Sequence, residues 1–160
     1  MKKFLKNPVI KNILSIVAVT FFGFILLNIT FLFDFIYQST VRWIIELFVP
    51  LDLDMIIYWL SPLLHLSFVA IIGLISWLVF NSKLKVLYKA IYMAVPIAVV
   101  LATIGMLLYS WPIISYSIGS LFCIGILYYL YHTKQPWLYY YVLILISTIL
   151  LIMSLLSVDI

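Results

Sequence analysis

The sequence predicts an all-α integral membrane protein, a bundle of five transmembrane helices with a short interfacial amphipathic helix between the first two spans. Three observations lead there. Of the 160 residues, 68% are hydrophobic and 9% charged, whereas a water-soluble domain carries about a quarter charged residues and keeps its exposed apolar patches small. The apolar residues fall in five runs close to the roughly 20 residues that a helix needs to cross a hydrocarbon core. The charges alternate between connecting segments, with Lys2, Lys3, Lys6, Lys11, Lys83, Lys85, Lys89 and Lys134 in one set and Asp34, Glu46, Asp52, Asp54 and Asp159 in the other. Lysine and arginine are retained in short cytoplasmic loops, so the N-terminus is expected in the cytoplasm and, after an odd number of crossings, the C-terminus outside. One polytopic domain in the cell membrane, covering residues 1–160, is the expectation.

The first span covers about Ile13 to Phe33. It is longer than a signal-peptide core and no small-residue cleavage site follows it, so it is expected to be retained. Residues 34–54 then form the one substantial extramembrane segment. Tyr37, Val41, Ile44, Ile45 and Phe48 recur there at helical spacing, with Arg42 and Glu46 one turn apart on another face, which predicts an interfacial helix over about 36–48. Arg42, Trp43 and Glu46 make it a candidate surface for a membrane protein partner. Pro50 ends that helix, and Asp54 suits the N-cap of the second span, where a carboxylate meets free N–H groups.

The remaining spans are expected at about Met55 to Phe80, Ala90 to Tyr109, Ile113 to Tyr131 and Trp137 to Ser157. Pro112 and Pro136 suit the first turns of the fourth and fifth, where a missing N–H is harmless. Pro62 and Pro96 are expected to bend the second and third, because each removes an intrahelical hydrogen bond. Tryptophans agree with the charges: Trp43, Trp59 and Trp111 fall at the outer boundary, Trp77 and Trp137 at the inner one. Most tyrosines join these belts, including the run Tyr139 to Tyr141 on the inner side. In lipid, packing drives helix association, so small-residue stripes mark close contacts. Ala90, Ala94, Ala98 and Ala102 make such a stripe and place the third span centrally. Ser115, Gly119 and Cys123 do so on the fourth, and Ser67, Ala70, Gly73 and Ser76 on the second.

Chemistry concentrates on the second span. Asp54, Tyr58, Ser61 and His65 recur every three or four residues, forming a polar stripe from the outer surface toward mid-membrane. Ionisable groups at that depth are costly and face a bundle interior or a wet cavity. Asn28 is the expected partner of His65, since an amide in lipid also needs hydrogen bonds. Thr30 and Thr103 share the outer half, which suggests a cavity open to the outside.

No metal-ligand cluster, acid-base pair, nucleophile elbow or glycine-rich phosphate loop is visible, so no catalytic residue, metal or cofactor is assigned and the protein is expected not to be an enzyme. The lone Cys123 offers no disulfide framework. A net charge of +4 spread over separate lysine segments points to membrane lipids rather than nucleic acid. Two function classes remain: a membrane-embedded partner, subunit or immunity-type accessory protein, or a small transporter, channel or ligand and pH sensor whose outer cavity ends at His65.

Overall fold

The computed structural model describes residues 8–48 and 59–157. Its elements are five helices: α1 (Pro8–Glu46), α2 (Ser61–Asn81), α3 (Val86–Leu107), α4 (Pro112–His132) and α5 (Trp137–Ser157). Each is long and apolar enough to cross a membrane, and no strand occurs among the described residues. Large apolar side chains such as Phe24, Leu74, Leu121 and Leu151 point outward. Such a surface requires lipid as its solvent.

Side-chain pairs fix the directions of the helices. Arg42 and Asp34 of α1 meet Ser61 and His65 of α2, while Ser76 and His65 of α2 meet Tyr92 and Thr103 of α3. Cys123 and Tyr116 of α4 meet Ser147 and Ser154 of α5. These pairs run antiparallel, and the short turn over 108–111 reverses the chain between α3 and α4, which pack together. Lys11, Lys83, Lys85, Lys89 and Lys134 gather at one end, and Asp34, Arg42 and Glu46 lie toward the other.

Helix α3 is the hub. Its backbone approaches all four other helices closely, whereas that of α2 approaches only α1 and α3, and that of α1 stays apart from α4. Its alanine stripe explains this position: Ala90, Ala94 and Ala98 are fully buried, and the short side chains let neighbouring backbones approach. Opposite Ala94 stands Gly23 of α1, whose place for a Cβ lies 3.6 Å from the Ala94 Cβ. Around this line one apolar cluster joins α1, α3, α4 and α5 through residues such as Val19, Met93, Leu130 and Val142. A second joins α2 and α3 through Phe68, Ile72, Val95 and Val99, with Leu26 and Tyr37 of α1 packed against it. The stripe expected on α2 is only partly used: Ser67 and Ser76 make interhelical bonds, Ala70 is exposed, and a Cβ at Gly73 would meet nothing.

Several expectations need correction. Residues 36–46 are helical, but no break separates them from the first span, and α1 runs unbroken for 39 residues. That is about 58 Å at 1.5 Å per residue, nearly twice a hydrocarbon core. The physical reason is in the chain: neither proline nor glycine stands between Phe24 and Glu46, so nothing interrupts the hydrogen-bond ladder. Pro62 sits in the first turn of α2, preceded by a π-helical turn at Trp59 and Leu60. Pro96 lies inside α3, Pro112 opens α4 as expected, and Pro136 stands just ahead of α5, which begins at Trp137. Tyr139 is buried against Phe80 in an edge-on contact instead of lying in an interfacial belt. Tyr141 bonds Thr20 of α1 at 2.7 Å.

The turn after α4 closes in an unusual way. Gln135 N–H bonds the Leu130 carbonyl at 3.0 Å and Lys134 N–H bonds that of Tyr131 at 3.1 Å, the paired bonds of a Schellman cap. The residue that turns left-handed there is Lys134, at φ 50°, where glycine is the residue of lowest cost.

Candidate functional site

Near the end of the bundle away from the lysines, α1, α2 and α3 each contribute one polar side chain to a buried constellation. Asp34, His65 and Thr103 are 8%, 6% and 7% exposed. Nδ1 of His65 lies 3.0 Å from Oδ2 of Asp34, and Nε2 lies 3.0 Å from Oγ1 of Thr103. Gln38, one turn beyond Asp34, donates from Nε2 to Oδ1 of that carboxylate at 3.0 Å. One further turn along α1, Arg42 donates from Nη2 to Ser61 of α2 at 3.1 Å. Spacing explains the row: Asp34, Gln38 and Arg42 recur every fourth residue, so an uninterrupted helix stacks them on one face.

Hydrogen bonding fixes where the protons lie. Thr103 donates its hydroxyl hydrogen to the Val99 carbonyl one turn back, at 2.6 Å, so its oxygen accepts from His65 and Nε2 must carry hydrogen. A neutral imidazole protonated at Nε2 would leave Nδ1 bare, with its lone pair facing a carboxylate lone pair at 3.0 Å. That arrangement is repulsive unless a proton lies between them. A proton between Asp34 and His65 removes that repulsion, whether it rests as imidazolium with carboxylate or as imidazole with carboxylic acid.

Carboxylate, imidazole and hydroxyl stand in the order of a hydrolase triad, yet the roles differ. A nucleophile needs its own proton directed at Nε2, whereas the Thr103 proton goes to Val99. The chemistry this geometry supplies is the holding and exchange of a proton. A hollow of about 230 Å³, lined by Phe31, Asp34, Phe35, Gln38, Ser39 and Arg42, borders the carboxylate and has room for several waters. Within it Arg42 Nε is buried with no hydrogen-bond partner among the described residues.

The structure brings some expected site residues together and disperses others. His65, Ser61 and Arg42 belong to this end. Asn28 does not: its Nδ2 donates to the Phe24 carbonyl of its own helix at 2.8 Å, on an exposed face. Its expected partnership with His65 is replaced by Asp34 and Thr103. Trp43 and Glu46 are exposed and make no part of the constellation. Asp54 and Tyr58 lie outside the described residues. Sequence reasoning missed Asp34 as a ligand of His65, because it placed that residue in a loop, and it did not single out Gln38. The four-residue spacing of Asp34, Gln38 and Arg42, continuing the first span without a helix breaker, was the available signal. No group of three or more metal-ligating side chains occurs among the described residues.

No protein-family model matches the chain, and neither a curated protein nor a solved structure shows significant similarity to it. Function is read from the site alone.

Proposed function

We propose that this is a small, non-catalytic membrane protein that responds to protons, a pH sensor or proton-coupled carrier whose working group is the Asp34–His65 pair. The observation that carries the reading is the 3.0 Å contact between two buried ionisable side chains, bordered by a hollow that reaches the carboxylate. Buried ionisable residues in membrane spans are costly and mark proton and ion pathways, and histidine changes charge near physiological pH. From α1 the groups facing His65 are Asp34 and Gln38, with Arg42 further along; from α3 it is Thr103, which does not titrate. Loss of the shared proton leaves lone pairs opposed, so the α1–α2 contact loosens, and regaining it closes the contact. The lysine end in the cytoplasm and the Asp34 end outside, in the cell membrane, give the sensed side as the exterior.

A second reading is favoured by a different observation. Beyond Asp34, α1 continues for a further 12 residues and exposes Phe35, Ile36 and Trp43. Such a projecting apolar end suits a membrane-embedded accessory or immunity-type protein that docks on a partner through Trp43, Arg42 and Glu46. In that case the proton site regulates docking.

Tryptophan emission of the protein in lipid nanodiscs, followed against pH, tests the proposal, since Trp43, Trp59 and Trp111 ring this end of the bundle. A pH-dependent change is expected that Asp34→Asn and His65→Gln each abolish while helicity is retained. A response that survives both substitutions overturns it.

A further inference from the structure

At the opposite end of the bundle lies a second, larger feature. Because the backbones of α2 and α4 do not approach closely, their walls stand apart over α3 and leave a groove of about 670 Å³. Its floor is Met93, Pro96, Ile97 and Val100 of α3, and its walls include Phe80 of α2 and Ile126 of α4. From Lys89 to Val100 the floor extends about 16 Å along the helix axis, which is half of a hydrocarbon core about 30 Å thick. The groove thus spans one leaflet, from the lysine end to the midplane.

Its mouth is polar and basic. Lys89, Asn81 and Gln135 line it, exposed Lys83 and Lys85 sit in the loop leading into α3, and exposed Lys134 sits in the loop beside Gln135. Lys89 Nζ donates to the Phe80 carbonyl at the end of α2, at 2.6 Å, which fixes the ammonium beside the groove and leaves two of its N–H groups for another acceptor. The described carboxylates, Asp34 and Glu46, lie toward the far end of the bundle, so no carboxylate among the described residues offsets these charges. Basic pockets between spans at this level hold anionic head groups.

We propose that the groove is a binding site for an anionic phospholipid, with one acyl chain lying along Met93 to Val100 and the phosphate at Lys89. The site is independent of the Asp34–His65 pair and rests only on the chain's placement in a membrane. Retention of phosphatidylglycerol and phosphatidylcholine of identical chains, measured by native mass spectrometry on delipidated protein, tests it. Phosphatidylglycerol is expected to be held in preference, by about five-fold for each lysine near its phosphate. Val100→Trp, which fills the groove, should remove that retention with helicity intact. Lys89→Gln should reduce the preference, and Lys83→Gln with Lys85→Gln, in an exposed loop, should do so without touching the bundle. Equal retention of the two lipids overturns the proposal, as does undiminished retention by Val100→Trp. Cross-linking of a second copy into the groove, uncontested by added phosphatidylglycerol, overturns it as well.

Discussion

The two ends of this bundle solve the problem of a membrane interior in opposite ways. Toward Asp34, α1, α2 and α3 converge, bury three polar side chains, and join each to a side chain of another helix by a hydrogen bond. Toward the lysines, α2 and α4 diverge, and the space between them is apolar with a basic rim. The contrast teaches that polar residues here act as clamps. Where Asp34 and His65 stand, hydrogen bonds tie α1, α2 and α3 together; among the described residues, α2 and α4 have neither such a bond nor a small-residue seam between them, and they part.

Removing the clamp should therefore have the largest effect. Asp34→Ala leaves His65 with a buried, unpaired ring and is expected to cost about 3 kcal/mol of stability, read as a lower midpoint in denaturation from lipid nanodiscs. The double substitution Asp34→Leu with His65→Phe should recover most of the loss, because an apolar contact replaces the pair outright. A double variant as unstable as the single one would mean that the pair does not act as a unit. Next in size is Ala98→Leu on the floor between the two ends. Ala98 is fully buried, and an oversized side chain in a close-packed interface costs about 1–3 kcal/mol. The smallest effect is expected at the lysine end. Lys134→Gly relieves a left-handed backbone and should stabilise by up to about 1 kcal/mol, a rise in midpoint that separates cap strain from the packing terms.

The contrast between the ends was only partly legible in the sequence. The spans were, because lipid imposes length and hydropathy on each one, and the central place of α3 was, because Ala90, Ala94 and Ala98 share a face. His65 stood out as an ionisable residue in an apolar run. Its partners did not, for a reason of geometry: hydropathy ends a span at the first carboxylate, whereas a helix ends where its backbone is interrupted. Asp34 looked like the start of a loop on the first criterion and is mid-helix on the second. The groove was not legible either, since it arises from the separation of α2 and α4, and no residue pattern on a single helix records that.

The central claim is that His65 carries hydrogen on Nε2 and shares a second proton with Asp34. Nitrogen-15 NMR of histidine-labelled protein in lipid bilayers tests this most directly, because the chain has only two histidines and His65→Gln assigns the signals. The account predicts a protonated Nε2 together with an Nδ1 shift characteristic of a proton shared with a carboxylate, which Asp34→Asn should abolish. A bare Nε2 accepting from Thr103, with an Nδ1 signal unchanged by Asp34→Asn, would contradict it.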